Sequence, residues 1–506
     1  MNTHFFSKVT LAWALALILL PTSLLAELTV ASPFTNNAVL QRDMPVPVWG
    51  TADTGATVTV KFAGQSKSTT TDSKGKWKVQ LAPLQSSLTP HVLTITSSKN
   101  HELEFSNILV GEVWICSGQS NMQMGHEKVP EIADLLPSAK NLRAFTVANT
   151  VAFTKQDTCE GKWVTTPPSS AVAVAFAYFL EKSSNVPVGI IQASWGSSSL
   201  EAWMPRELTE SVPHFKTMMK EFDADTQTRD RITAILEGPK PWPRQDDIFL
   251  RRQTNILYNA MIHPLVPYAC RGLVWYQGER NAQSIHGMKK TPWYGRHSGM
   301  LKYGDTLKAW MQSYRQEWNR EDFQFLIVML PGYAKGAKGG PENPDNDSWA
   351  WIRESQLKAL DLPHTAVINT IDLGHATNIH PTDKLPIGKR LAMLAPRAAL
   401  KKEVVAQGPV LNRVEIEGET LIVHFDQAEG LKTLDRNQPR GFWLANNSAK
   451  WVKADAKLSG KKVILSTSQL KKPLYIRYAF AGKPSVNLVN ASELPAFPFR
   501  TDTFEP

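Results

Sequence analysis

Apolar and polar positions change rhythm twice along the chain. From residue 27 to about 107 they alternate in short runs. Thr57-Val-Thr-Val-Lys-Phe and Lys76-Trp-Lys-Val-Gln-Leu place every second side chain on one apolar face, and Asp53-Thr-Gly and Asp72-Ser-Lys-Gly break the runs with turn chemistry. That period and spacing predict a small β-sandwich over residues 27–107. Near Ile108 the rhythm changes. Apolar runs at 108–115, 188–193, 271–276, 325–330 and 366–372 alternate with helical periodicity at 171–180, 301–318 and 387–394. Strands interleaved with helices predict βα units and a mainly parallel sheet over residues 108–403, with 108–115 as a short buried strand. Beyond residue 404 alternation returns at 413–416, 420–425, 462–466 and 474–478, predicting a second β-sandwich over 404–506.

Two polar stretches interrupt the α/β region and read as insertions. Residues 206–252 are helical in pattern and punctuated by Pro239, Pro241 and Pro243; residues 283–299 carry Trp293, Tyr294, Arg296 and His297. Doubly wound sheets bind ligands beyond the carboxyl ends of their strands. The second insertion follows the 271–276 strand and is therefore the one expected to wall a pocket.

Composition narrows the class. A chain of 506 residues exceeds one ordinary core, and 42% hydrophobic with 20% charged residues marks a globular protein. Lys8, the apolar run 9–20 and the Ser-Leu-Leu-Ala end predict a secretory signal peptide over residues 1–26. The expected product is periplasmic or secreted, without a membrane anchor after cleavage. Three cysteines make no disulfide framework. The net charge of +10 is spread among acidic residues with no Lys/Arg block interleaved with aromatics, so no nucleic-acid partner is expected.

Candidate chemistry gathers where apolar strands end. Ser120 stands in Ile115-Cys-Ser-Gly-Gln-Ser-Asn-Met, just past the first such strand, with Gly118 to turn the chain. A serine placed there can be activated by a base and have its oxyanion met by backbone N–H groups. The Gly-x-Ser-x-Gly elbow is absent, since Met122 occupies its second glycine. His380, before Pro381 in the loop after 366–372, is the leading base. Ala193-Ser-Trp-Gly196 and Trp275-Tyr-Gln277-Gly-Glu-Arg-Asn281 follow two further strands and offer oxyanion donors at the same sheet edge. A metal-assisted hydrolase on Asp372, His375 and His380 is the weaker reading, because those residues lack a recognisable ligand spacing.

Several blocks together resemble the sialate O-acetylesterase family: Gly111-Glu-Val-Trp-Ile-Cys-Ser-Gly-Gln-Ser-Asn-Met, Pro187-Val-Gly-Ile-Ile, Trp195-Gly, Glu201-Ala-Trp, Arg271-Gly-Leu-Val-Trp-Tyr-Gln-Gly-Glu-Arg-Asn and Ile379-His-Pro. That family belongs to the SGNH-type hydrolases and includes bacterial acetylesterases of plant polysaccharides. The resemblance spans roughly residues 27–503 and implies an α/β fold with a flavodoxin-like parallel sheet flanked by helices. It implies Ser120 as nucleophile, His380 as base, and the N–H groups of Ser120 and Gly196 as oxyanion donors. A third donor would come from Gln277 or Asn281, with Gln277 favoured. No cofactor or metal is implied.

The chain departs from the pattern behind the histidine. Thr377 occupies the position of the usual acid, and His375 replaces a second aspartate, leaving Asp372 as the upstream carboxylate and Asp383 just downstream. Asp372 is therefore taken as the third triad member. The implied substrate is an O-acetylated carbohydrate, either sialate or a plant polysaccharide such as xyloglucan or xylan. Glu279, Arg280 and Arg353 are candidates to contact it, and the Trp293-Tyr294 pair to stack on a sugar. The alternative is an inactive carbohydrate-binding protein on the same fold.

Overall fold

The computed structural model describes residues 27–287, 297–344, 349–399 and 407–506. The predicted signal peptide, Trp293, Tyr294 and Arg296 lie outside the described residues. Six parallel strands form the centre: β1 (Glu102–Gly118), β2 (Leu142–Thr146), β3 (Val188–Ser194), β4 (Gly272–Tyr276), β5 (Gln324–Val328) and β6 (Thr365–Ile368), in the order β6-β5-β4-β1-β3-β2. β3 and β4 are buried along their whole length and β1 from Ile108 onward, as expected of strands covered on both faces. From β1 the chain runs out to β2, returns to β3 between the two, then crosses to β4 on the other side of β1. The switch point therefore lies at the carboxyl end of β1, where ligands of such sheets bind.

Helices intervene as the periodicity predicted. Helix α1 (Ala171–Ser184) starts where Ser170 Oγ accepts from Ala173 N at 3.2 Å and ends at Asn185 in the left-handed region. The 206–252 stretch forms α2 (Pro213–Ala224), α3 (Thr226–Glu237) and α4 (Arg244–Leu250). α5 (Met300–Trp318) packs on α6 (Ala350–Leu357), and α7 (Lys384–Ala399) packs on α1. Among the described residues no helix is long and apolar enough to cross a membrane, and Cys116, Cys159 and Cys270 are free thiols.

Two strand expectations need correction. The short strand expected at 108–115 is a 17-residue strand, β1. Its first part, Glu102–Asn107, alternates exposed and half-buried positions and pairs antiparallel with Ser87–Ser97. Alternation made that part look like a separate element, although the backbone runs through without a break. Conversely the run 366–372 is a strand only to Ile368. Asn369 ends it: its amide donates to the carbonyls of Pro495 and Ala496, both at 2.9 Å, while its oxygen accepts from Ile371 N.

The flanking regions are antiparallel. N-terminal strands Thr57–Phe62 and Ser87–Ser97 extend the central sheet through β1, and Val46–Thr51 pairs with Lys76–Leu81. Glu112, fully buried inside β1, receives Arg42 Nε at 2.8 Å and Arg271 Nη2 at 3.0 Å, so one carboxylate fastens the N-terminal region, β1 and β4 together. The C-terminal region holds two four-stranded antiparallel sheets. It grips the α/β region through Lys483, whose Nζ donates to Leu373 O at 2.9 Å, and through Arg353 of α6.

Candidate active site

Ser120 opens a helical turn, Ser120–Gln123, immediately after β1. Gly118 makes the turn possible: it sits at φ +139°, and a Cβ there would lie 2.1 Å from Tyr276 O of β4. No other residue could bring the two strand ends so close. Gln119 then locks the turn sideways, its Oε1 accepting from Gln277 Nε2 at 3.2 Å and from Arg280 N at 3.1 Å.

His380 reaches Ser120 from the loop after β6. Its Nε2 lies 2.8 Å from Ser120 Oγ, the distance at which an imidazole accepts a hydroxyl proton. The backbone around it is set by Asn378, which accepts from His380 N and donates to His380 O, both at 3.0 Å. Partial desolvation, then the positive charges of Lys384 and Lys128, hold the His380 pKa below the usual imidazole value. The ring is therefore neutral, and available as a base, to lower pH than a free histidine.

The expected triad carboxylate is not behind it. Asp372 gives both oxygens to Arg390, at 2.8 and 2.6 Å, because the strand ends at Ile368 and the following turn carries Asp372 toward α7. Asp383 accepts from Gly374 N at 2.8 Å, and Thr377 turns back on His375. Among the described residues no carboxylate bonds to His380, so the arrangement is a serine–histidine pair. The same contacts answer the metal reading, since Asp372 is spent on Arg390, His375 Nδ1 on the N–H groups of Thr377 and Asn378, and His380 on Ser120.

Gly196, the expected oxyanion donor, lies beside the serine: a Cβ added to it would come within 3.3 Å of Ser120 Cβ. Its N–H donates to Gln123 Oε1 at 2.9 Å. The expected third donor is corrected. Gln277 is fully buried and donates to Gln119, Ser198 O and Asn281 Oδ1; Asn281, also fully buried, donates to Glu201 and Ser298. Both amides spend their N–H groups within the protein, and of the two only Gln277 donates to the turn, at Gln119. Glu201 anchors Asn281. Burial alone would push its carboxyl up, but the bond and charge of His214, together with neighbouring His297, hold it well below the ordinary range.

The expected substrate contacts also move. Arg353 is fully buried and donates to the carbonyls of Leu330, Ala481 and Gly482, a tie between α6 and the C-terminal region. Arg280 is 9% exposed and bonds Gln283 Oε1 at 2.6 Å. Glu279 is 3% exposed and accepts from Asn121 Nδ2. Asn121 itself was not anticipated. It follows the serine, donates also to Ile379 O at 3.0 Å and accepts from Lys384 Nζ at 2.6 Å, so one amide joins the Ser120 turn to the His380 loop. Burial pushes Glu279 up to about 7, against Asn121 and Lys384, and brings Lys384 down to about 8, against Glu279 and Asp383. Asn121 lies inside the quoted motif and could have been singled out; Lys384, beside Asp383 at a helix start, reads as surface.

Ser120 and His380 open into a cavity of about 740 Å³ whose far wall is the strand end and loop at Thr146–Asn149. A volume of that size suits a ligand much larger than an acetyl group. Ser194 is 4% exposed, and its hydroxyl points into this wall without a hydrogen-bond partner among the described residues.

The chain is similar to known proteins over most of its length. The family model for carbohydrate esterases described as sialic acid-specific acetylesterases matches residues 110–237 and 242–395, more than half of the chain. The sialate O-acetylesterase of Rattus norvegicus is 26% identical over 524 residues, covering 93% of each chain. The human sialate O-acetylesterase is 25% identical over 430 residues, covering 76% of this chain and 74% of the relative. A solved carbohydrate acetylesterase from Xanthomonas citri superposes with a TM-score of 0.79 at 31% identity, covering 94% of this chain and all of the other.

Proposed function

The chain belongs to the carbohydrate esterase family of sialic acid-specific acetylesterases and is an ester hydrolase; on that premise we propose that it removes acetyl groups from sugar hydroxyls by serine catalysis. The observation that carries the proposal is the 2.8 Å contact between His380 Nε2 and Ser120 Oγ at the switch point of the sheet. His380 takes the Ser120 proton as Oγ attacks the acetyl carbonyl. The oxyanion forms against Gly196 N–H, displacing Gln123 Oε1, and against Ser120 N–H at the start of its turn, where the first N–H groups have no intrahelical partner. His380 then returns the proton to the departing sugar oxygen. Water, deprotonated by the same imidazole, releases acetate from Ser120.

The proposed substrate is an acetylated glycan met outside the cytoplasm. Incubation with a serine-reactive fluorophosphonate should add one adduct on Ser120, seen by peptide mass spectrometry, and should abolish acetate release. A labelled but fully active protein, or labelling at another serine, would overturn the assignment. Export is checked by N-terminal sequencing of the mature protein, expected to begin at Glu27.

A further inference from the structure

A second cavity of about 760 Å³ adjoins the first, and Ala148 and Asn149 belong to both walls. Its other side comes from the 206–252 stretch: Lys240, Trp242, Arg244 and Asp247, facing Glu160. Its floor includes Trp195, the residue before Gly196, held by a bond from its indole Nε1 to Asp247 at 3.1 Å. The two spaces are thus one sequence position apart at the proposed oxyanion donor.

The lining has the make-up of a carbohydrate contact. Trp242 is half-buried, 6.3 Å from the Trp195 ring at an interplanar angle of 20°, and its indole N–H is buried without a partner among the described residues. Lys240 Nζ stands over the Trp242 ring, 5.0 Å from its centroid, and Lys240, Arg244 and Glu160 are all exposed, offering donors and an acceptor beside an aromatic surface. A pyranose presents an apolar ring face and a girdle of hydroxyls, which matches that combination. Asp247 pairs with Arg251 at 3.4 Å, and Lys240 and Arg244 stand beside Glu160.

We propose that the Trp242 cleft is a second sugar subsite, and that the chain acts on acetylated oligosaccharides or polysaccharides, with the acetylated residue at Ser120 and a neighbouring residue against Trp242. This rests on the esterase reading above and adds the substrate class. It gives the 206–252 stretch a part in the pocket wall.

The test compares wild type, Trp242→Ala and Arg244→Ala on O-acetylated xylose, partly acetylated xylotetraose, O-acetylated N-acetylneuraminic acid and p-nitrophenyl acetate. In wild type, kcat/KM on the tetrasaccharide should exceed that on the monosaccharide by about tenfold, the equivalent of one good ring contact. Trp242→Ala should erase that ratio through KM, and Arg244→Ala should lower it by roughly threefold. Calorimetry with xylotetraose on the Ser120→Ala protein reads the subsite without chemistry, and binding should weaken in Ser120→Ala/Trp242→Ala. A wild-type ratio near one, a ratio unchanged by Trp242→Ala, or faster turnover of the sialate ester would overturn the subsite. Failure of the wild type on every ester would instead overturn the esterase reading.

Discussion

The Ser120 turn and the His380 loop meet at 2.8 Å but are held by opposite means. The serine side is built of backbone and buried amides: Gly118 packed on Tyr276, Gln119 clamped by β4, Gln277 and Asn281 satisfied below. The histidine side is an exposed loop, fixed by Asn378 within itself, by Asp372 on Arg390 and by Lys483 from the C-terminal region. A nucleophile fixed by packing tolerates almost no change in shape. A base fixed by side-chain bonds on a loop can be re-aimed by single polar substitutions.

The largest expected effect treats both sides alike. Ser120→Ala and His380→Ala should each lower acetate release by roughly 10⁴-fold or more, with the double variant little worse than either, as for residues acting as a unit. Steady-state kinetics of the three variants check this. On the packed side, Gly196→Ala forces a methyl group against Ser120 Cβ at 3.3 Å and should cost about 10²-fold in kcat, the scale of one lost oxyanion donor, with a smaller change in KM.

On the loop side the outcome separates a pair from a triad. Asp372→Asn removes the partner of Arg390 but nothing from His380, so kcat should fall less than about tenfold, where a true triad acid would cost about 10⁴. A drop of the larger size, with an unchanged melting temperature, would place Asp372 behind the base. The smallest effect is electrostatic. Lys128 and Lys384 disfavour the imidazolium, so the acid limb of the kcat/KM profile should lie below pH 6.5, the ordinary imidazole value. Lys128→Gln removes one of those charges and should move that limb to higher pH by a fraction of a unit; a shift to lower pH would contradict the sign.

The same contrast explains what was legible in the chain. Continuous apolar runs, glycine at a strand end and Ser120 in its turn are local signals, and the strands and helices of the α/β region fell close to where periodicity put them. The role of Asp372 was not, because it depends on where β6 stops, and β6 stops at Asn369 through bonds to Pro495 and Ala496, more than a hundred residues away in the chain. Gln277 and Asn281 were correctly brought to the site but assigned to the wrong layer, since donor chemistry in a sequence does not say whether an amide faces ligand or scaffold. Lys384 gave no signal at all, its burial being a product of packing alone.

β1 carries one further consequence, for separability. The strand that ends at the proposed nucleophile begins among the N-terminal strands, and Val39–Gln41 pairs in parallel with it at Leu109–Gly111. The family-matched segment beginning at residue 110 would start inside this strand, with an open edge where Val39–Gln41 lay and Glu112 stripped of Arg42. An unpaired edge and a half-neutralised buried carboxylate invite aggregation. The hydrolase centre is therefore not a cassette: exchange between relatives has to carry the N-terminal strands with it.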